Sequence, residues 1–273
     1  MAWNAEYWDL MTNLYWAPDK IGCRRIIDLC ESCQKKRPAK NLRSPDNVIG
    51  RLQRLEEPLN DIFNLFLRIA PGRFPCTIFG PAFTVPFDER FEFLGQEIGD
   101  RYGFGNANIT QQDVFLVGDQ TLLMIELKVA AHTDLLQVAK YALLAALEER
   151  ETGRRDQLLL LYLTPEKPFH KFWKEGFSNR GEMLEALRYY NPALTEKKLL
   201  AKVFTDHHQT VADVMGRMEI GFMTYEGLAN ILTIERDRLD PTTMGDETLI
   251  RLIDGLLAEL RARNLALAAE TGR

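Results

Sequence analysis

The chain lacks several features that would assign a protein to a class at once. Four cysteines in 273 residues are too few for a disulfide-dependent secreted scaffold. No run reaches the roughly 18 apolar residues of a membrane span. The N-terminal segment MAWNAEYWDL shows neither the basic start nor the apolar centre of a signal peptide. We therefore expect a cytoplasmic protein with reduced cysteines and no membrane partner.

The chain also lacks an excess of positive charge. Its formal net charge is −5 at pH 7, so its overall charge does not attract nucleic acid. Binding to DNA or RNA would need a local basic patch or a metal ion at the contact. The hydrophobic fraction of 46% and the charged fraction of 27% are those of a globular protein with a sizeable core.

Hydrophobic spacing divides the chain into three parts. Residues 1–80 show helical spacing and predict a mainly helical N-terminal region. Residues 81–240 alternate apolar runs of strand length with helical segments, which predicts an α/β core. Residues 241–273 predict an amphipathic C-terminal helix packed on that core. Inside the core, the stretch DERFEFLGQEIGDRYG at 88–103 predicts a helix, because its apolar residues recur at helical spacing.

One stretch of the core, DVFLVGDQTLLMIELKV at 113–129, predicts two strands joined by a tight turn. If Asp119 and Gln120 form the loop, Asp113 lies opposite Glu126 in the antiparallel ladder. Side chains alternate between the two faces of a strand, so Lys128 then shares a face with both carboxylates. Burying an unpaired charge is costly, and a cluster of three in an apolar strand region needs a physical reason.

A divalent cation would supply that reason. Two carboxylates are hard oxygen ligands that suit Mg²⁺ or Mn²⁺, and such an ion usually binds through few carboxylates plus substrate phosphate and water. A neighbouring lysine can position or deprotonate the attacking water and can stabilise negative charge on a phosphate. The alternative is an edge strand that carries a surface salt bridge between Glu126 and Lys128.

These residues resemble the PD-(D/E)XK nuclease superfamily. Asp113 precedes Glu126-Leu127-Lys128 at hairpin distance, although Gln112 stands where the superfamily loosely keeps a proline. Gln137 and Tyr141 form a Q-x-x-x-Y pattern on the following helix that is similar to the RecB-like branch. The resemblance implies a restriction-endonuclease-like central mixed sheet flanked by helices, here with a helical N-terminal extension. It also implies an Mg²⁺- or Mn²⁺-dependent nuclease whose expected substrate is DNA.

The resemblance also implies roles for single residues. Asp113 and Glu126 would bind the metal and Lys128 would complete the catalytic site. Residues on the helix after the strand would contact substrate phosphate or orient a site residue; they are Gln137, Lys140 and Tyr141. A helix before the hairpin often contributes a further glutamate, and of Glu89, Glu92 and Glu97 we expect Glu92 to join the site. Many such nucleases act as dimers, which leaves a homodimer open here.

Three other interpretations stay open on the sequence alone. The first is a catalytically degenerate nuclease fold that binds nucleic acid or a partner protein. The second is a metal site at Cys23, Cys30 and Cys33, which share a helical face but lack the second ligand pair of a usual zinc site. The third concerns KPFHKFWKEGF at 167–177, whose aromatic and basic residues could stack on unpaired bases or could belong to the core.

Overall fold

A computed structural model of the chain describes Trp3 and residues 56–94, 112–129 and 132–267. The chain forms two compact units, one of Leu67–Leu228 and one that combines Met1–Phe66 with Ala229–Arg273. The three-part division expected from the sequence stays a prediction. Several residues singled out in the sequence lie outside the described residues; they are Cys23, Cys30, Cys33 and Glu97.

The unit of Leu67–Leu228 is built on a five-stranded mixed sheet. The strands lie side by side in chain order: β1 Glu92–Phe93, β2 Val114–Val117, β3 Thr121–Leu127, β4 Gln157–Thr164 and β5 Glu219–Thr224. The first three strands pair antiparallel, and β3, β4 and β5 pair parallel. The expectation of an α/β fold with a mixed sheet flanked by helices is therefore confirmed.

Eight α-helices accompany these strands in the described parts of the chain. They are α1 Glu56–Ile69, α2 Phe74–Phe79, α3 Leu135–Thr152, α4 Arg180–Arg188, α5 Lys198–Asp206, α6 His208–Arg217, α7 Tyr225–Arg238 and α8 Met244–Ala262. Short 3₁₀ turns lie at Gly80–Ala82, Phe169–Lys171 and Pro192–Leu194. Helix α3 connects β3 to β4, and the segment with α4 to α6 connects β4 to β5, as parallel strands require long crossovers. None of the described helices is long and apolar enough to span a bilayer.

The β2–β3 hairpin has the register expected from the sequence. Val114 pairs with Ile125, and the amide of Gly118 donates to the carbonyl oxygen of Thr121 at 2.8 Å. The loop therefore consists of Asp119 and Gln120. When the same ladder is continued by one residue beyond Val114, Asp113 at the start of β2 lies opposite Glu126 near the end of β3.

Helix α3 positions its residues over one face of the sheet. Asp134 begins the helix, because its carboxylate accepts a hydrogen bond from the amide of Gln137 at 3.0 Å. Gly153 ends it with a positive φ of 98°, a conformation that favours glycine. Between these caps, α3 packs into the same hydrophobic cluster as Met124 of β3 and Leu160 of β4. This apolar packing fixes the start of α3 beside the end of β3.

The prediction of a helix at 88–103 is wrong where the structure describes it. Glu92 and Phe93 form β1 and pair with Val117 and Leu116 of β2. The amide of Leu94 donates to the carbonyl oxygen of Phe115 at 3.0 Å, which extends the strand pairing. Helical spacing of the apolar residues was present, but pairing with the exposed edge of β2 overrides local propensity.

The second unit has its own described core. On α1, Leu59, Ile62 and Phe63 are fully buried, and α8 buries Ile253 and Leu256. The indole nitrogen of Trp3 donates to the carbonyl oxygen of Leu252 at 2.9 Å. Helix α8 lies inside the segment for which an amphipathic C-terminal helix was expected, and its apolar face is buried.

Candidate active site

The candidate site lies where β3 ends. Glu126 is the penultimate residue of β3, and Asp113 directly precedes β2. The amide of Leu127 donates to Oδ2 of Asp113 at 2.7 Å, so this backbone contact holds the Asp113 carboxylate against the end of β3. The hairpin therefore brings together the two carboxylates that the sequence analysis selected as metal ligands.

Glu126 and Lys128 form a buried ion pair. The Lys128 Nζ lies 2.5 Å from Glu126 Oε1, and the two side chains are only 13% and 3% exposed. Removing two charges from water costs several kcal/mol per ion, which close pairing and further hydrogen bonds must offset. The alternative of a solvated surface salt bridge on an edge strand is therefore wrong, because Glu126 is buried, Lys128 is largely covered and β3 lies between β2 and β4.

The helix after the strand supplies the additional hydrogen bonds. The Tyr141 hydroxyl donates to Glu126 Oε2 at 2.5 Å and accepts from the amide of Asp113 at 3.3 Å. The Gln137 Nε2 lies 3.4 Å from each Glu126 carboxylate oxygen. Four residues separate Gln137 from Tyr141, so both project from the same face of α3 toward the sheet.

Tyr141 donates a hydrogen bond to Glu126, and its side chain is too buried to contact a substrate. Its side chain is fully buried, and burial together with the Glu126 and Asp113 carboxylates raises its pKa well above the ordinary value. The raised pKa keeps the hydroxyl protonated at neutral pH, where it remains a donor to Glu126. Of the two roles expected from the sequence, orienting a site residue fits Tyr141, and contact with substrate phosphate does not.

Lys140 lies next to this network without an ion-pair partner in the described parts of the chain. Burial, and after it repulsion from Lys197, lowers the pKa of Lys140, while Asp134 and Glu126 act in the opposite direction. The Asp134 carboxylate is instead paired with Lys174, whose Nζ lies 2.5 Å from its Oδ2.

The sequence analysis missed Tyr162, which lies beside Glu126 in the β3–β4 ladder. Its ring is fully buried and stacks on Phe222 with 5.6 Å between centroids. Burial, and after it the Glu126 carboxylate, raises the pKa of Tyr162 well above the ordinary value. A signal was present, because Tyr162 carries the only polar group in the run LLLLYL of β4.

The aromatic residues of KPFHKFWKEGF belong to the core that surrounds Tyr162. Phe172, Trp173 and Phe177 are 6%, 2% and 7% exposed. The Trp173 and Phe172 rings meet the Tyr162 ring edge-on at 5.6 and 5.5 Å between centroids. Core packing therefore accounts for these three aromatic rings, and they are not available to stack on bases.

Glu92 does not join the cluster, which corrects the expectation from the sequence. It lies opposite Val117, at the far end of β2 from Asp113, and is exposed. Four residues of strand separate the two ends, which is about 13 Å. Glu89 also lies at the far end, where its Oε2 accepts from the amide of Gln120 at 3.0 Å. The helix that was expected to present a glutamate to the site is replaced there by β1.

The carboxylates of Asp113 and Glu126 are ligands of the kind that a divalent cation prefers. No group of three or more histidine, cysteine or acidic residues in the described parts of the chain is arranged to hold a metal ion. The Asp113 carboxylate nevertheless accepts from the amide of Leu127, directly after Glu126, and Mg²⁺ needs only one or two carboxylates when phosphate and water complete its shell. The ion would compete with Lys128 for the Glu126 carboxylate.

Comparisons with family models, curated proteins and solved structures find no match to this chain. The interpretation of the site therefore depends on its own geometry and on the resemblance of its motif.

Proposed function

We propose that the chain is an Mg²⁺- or Mn²⁺-dependent nuclease with a restriction-endonuclease-like core, and that its substrate is DNA. The observation that carries the proposal is the buried Glu126–Lys128 pair at the end of β3, with Asp113 facing it across the hairpin. A buried ion pair contributes little to stability compared with apolar packing, so its presence in a core strand favours a chemical role.

The metal, bound by Asp113 and Glu126, would supply an activated water molecule and neutralise charge on the phosphate. Lys128 would donate to a non-bridging phosphate oxygen, where negative charge grows as water attacks the phosphorus and the bond to the leaving oxygen breaks. Tyr141 and Gln137 would hold the Glu126 carboxylate in one orientation, since both donate to it. Tyr162 and its aromatic neighbours would keep water away from one side of that carboxylate.

A second candidate function is a degenerate nuclease fold that binds nucleic acid or a partner without cutting. The observation in its favour is that both oxygens of Glu126 already accept hydrogen bonds, from Lys128 and from Tyr141. Such a network satisfies the buried charges without an ion, and it would persist in a protein that had lost metal binding.

One assay separates the two functions. Purified protein is incubated with single- and double-stranded DNA and RNA in Mg²⁺, Mn²⁺ or EDTA, beside Asp113→Asn and Glu126→Gln proteins prepared identically. The nuclease proposal expects cleavage that needs the metal and is abolished in both variants. Binding without cleavage under every condition would support the degenerate fold, and cleavage retained in both variants would identify a contaminating nuclease.

A further inference from the structure

A chain of polar contacts connects the surface of the protein with the buried Glu126 carboxylate. The Lys174 Nζ lies 2.5 Å from Oδ2 of Asp134. The other carboxylate oxygen and the backbone carbonyl oxygen of Asp134 both accept from the amide of Gln137, each at 3.0 Å. The side chain of Gln137 then places its Nε2 3.4 Å from each Glu126 oxygen. Asp134 therefore restrains the backbone of the residue whose side chain reaches Glu126.

The residue before Asp134 is held in place by the segment that follows β4. The amide of Thr133 donates to the carbonyl oxygen of Phe172 at 3.0 Å, and the carbonyl oxygen of Thr133 accepts from the amide of Lys174 at 2.9 Å. These two backbone bonds are independent of the ion pair that the Lys174 side chain makes with Asp134. The Asp134 carboxylate therefore extends from a backbone that is already fixed, and it has a defined direction toward α3.

The first turn of α3 depends on carboxylates for two of its hydrogen bonds. The first amides of a helix have no partner within the helix. Here the amide of Leu135 donates to Oε1 of Glu175 at 3.0 Å, and the amide of Gln137 donates to Asp134. Helix ends fray from the first turn inward, and loss of the N-cap side chain destabilises that turn. Because this turn carries Gln137, its cap determines how firmly the Gln137 side chain is held at Glu126.

We propose that Asp134 is a positioning residue of the candidate site: its carboxylate fixes the first turn of α3, and this turn holds the Gln137 side chain against Glu126. The inference rests on the proposed function, in which Glu126 binds the metal. It adds a residue that acts through Gln137 and that the PD-(D/E)XK resemblance did not select. A less ordered Glu126 should slow the chemical step and leave DNA binding unchanged, because the contacts of Asp134 lie within the protein.

Helix α4 offers a matched control for a purely structural cap. It begins after Asn179, whose Oδ1 accepts from the amide of Glu182 at 3.0 Å, and this is the same cap geometry as at the start of α3. None of the residues in the network around Glu126 lies on α4. Asn179→Ala therefore removes an equivalent helix cap from the same unit without acting on the network, and it shows what the loss of a cap alone does.

The first test measures cleavage. Single-turnover cleavage of a DNA that the wild-type protein cuts, at saturating Mg²⁺ and increasing protein concentration, gives a maximal rate and a half-saturating protein concentration. Asp134→Ala should lower the maximal rate by roughly 10-fold, the lower end of the loss typical of residues that orient a metal ligand, and should leave the half-saturating concentration unchanged. Asp134→Asn should cut close to the wild-type rate, because asparagine caps a helix as well as aspartate does. Asn179→Ala should also cut at the wild-type rate. Asp134→Gly replaces Asp134→Ala if that variant does not fold, since glycine is tolerated at an N-cap.

The second test observes Gln137 directly and needs no cleavage. The side-chain NH₂ resonances of Gln137 in a ¹⁵N–¹H spectrum are assigned by their absence in Gln137→Ala. In the wild-type protein these protons should be protected from exchange with water, because Nε2 lies against a buried carboxylate. In Asp134→Ala the resonances should move toward those of a solvated glutamine and exchange faster. In Asp134→Asn and Asn179→Ala they should stay at the wild-type position.

The outcomes separate this inference from the proposed function. Unchanged Gln137 resonances in Asp134→Ala would overturn the inference even if the protein cuts DNA. So would equal rates for Asp134→Ala and Asn179→Ala, or a loss of rate in Asp134→Ala that Asp134→Asn does not restore. A protein that cuts nothing, but whose Gln137 resonances change in Asp134→Ala and not in Asn179→Ala, would support the positioning of Gln137 by Asp134 and reject the nuclease.

Discussion

A carboxylate with a cationic partner lies near each end of α3, Glu126 of β3 beside its first turns and Glu149 in its last turns, and the two pairs differ in kind. At the start of the helix, Lys128 makes one contact with the deeply buried Glu126. At its end, Arg217 contacts both oxygens of Glu149, at 3.2 Å from Nη1 to Oε1 and 2.5 Å from Nη2 to Oε2. Arg217 also reaches Asp213 on its own helix at 2.9 Å.

Under the proposed function, the Arg217–Glu149 pair serves the fold and the Glu126–Lys128 pair serves the chemistry. Burial lowers the pKa of Arg217, but hydrogen bonds from its guanidinium to Glu149 and Asp213 raise this pKa by more than burial lowers it. The guanidinium therefore stays charged. The planar guanidinium of Arg217 on α6 donates to both carboxylate oxygens of Glu149 on α3, so it connects the two helices. It does not release a proton. A lysine can give up its proton and can turn to a new partner, which suits a group that meets substrate.

The largest expected effect tests the proposed catalytic role of the Glu126–Lys128 pair. Lys128→Ala should lower the single-turnover rate of DNA cleavage by roughly 10²- to 10⁴-fold, which is typical of removing a positioned acid, base or charge-stabilising group. Lys128→Arg should not restore the rate fully, because the guanidinium is larger and cannot release a proton. Single-turnover kinetics at saturating enzyme with a cleavable DNA give the rate.

Arg217→Ala is the matched control at the other end of α3, and it should cut at the wild-type rate under conditions where it is folded. Equal rates for Lys128→Ala and wild type would remove the lysine from the mechanism and make both pairs structural.

The second-largest expected effect is on stability, and it concerns the Arg217–Glu149 pair. Arg217→Ala leaves the Glu149 carboxylate without its cation at 9% side-chain exposure. Removing one partner of a buried pair costs 3–5 kcal/mol, and partial exposure of Arg217 reduces this to about 2 kcal/mol. Urea denaturation gives the decrease in the free energy of unfolding. Arg217→Lys should recover less than half of it, since lysine cannot span both oxygens, and full recovery would argue against the bidentate contact.

The arrangement around Glu126 was more predictable from the sequence than the rest of the fold. Alternation and a two-residue loop suffice to place Asp113 near Glu126, because hairpin pairing is local in the chain. Helical periodicity likewise suffices to bring Gln137 and Tyr141 to one face. The prediction for Glu92 failed because its position depends on pairing with β2, more than twenty residues later, which local spacing does not encode. Arg217 reaches Glu149 and Lys174 reaches Asp134 across the fold, and no spacing rule predicts these two contacts.

The third effect concerns the hydrogen bonds that support the Glu126 carboxylate. Tyr141→Phe removes a hydroxyl that donates to the Glu126 carboxylate, and should lower the free energy of unfolding by about 1.5 kcal/mol, as expected for a hydrogen bond to a charged group. Tyr162→Phe is the matched control, because this equally buried hydroxyl faces Thr133 without an aligned hydrogen bond to any described residue. Its removal should be close to neutral. Equal decreases for the two variants would show that the Tyr141 hydroxyl is not a special support of Glu126.

The smallest expected effect concerns Lys140, which has no counterpart at the Arg217 end. Its pKa is lowered in the folded protein, so folding disfavours its charged form. Below the pKa that Lys140 has in the folded protein, both the folded and the unfolded states carry its proton, and the full free-energy cost of the buried charge is present. As the pH rises toward the unfolded pKa of about 10.4, the unfolded state binds more protons than the folded state, so stability increases.

Lys140→Met removes the charge and should stabilise the protein at pH 7 by less than about 1 kcal/mol, since the group is partly solvated. Melting temperatures of variant and wild type, measured in parallel from pH 7 to about 10, should converge as the pH rises. A gap that stays constant, or a variant that is less stable at pH 7, would mean that the Lys140 ammonium is not under strain in the folded protein and that the two ends of α3 accommodate their charges alike.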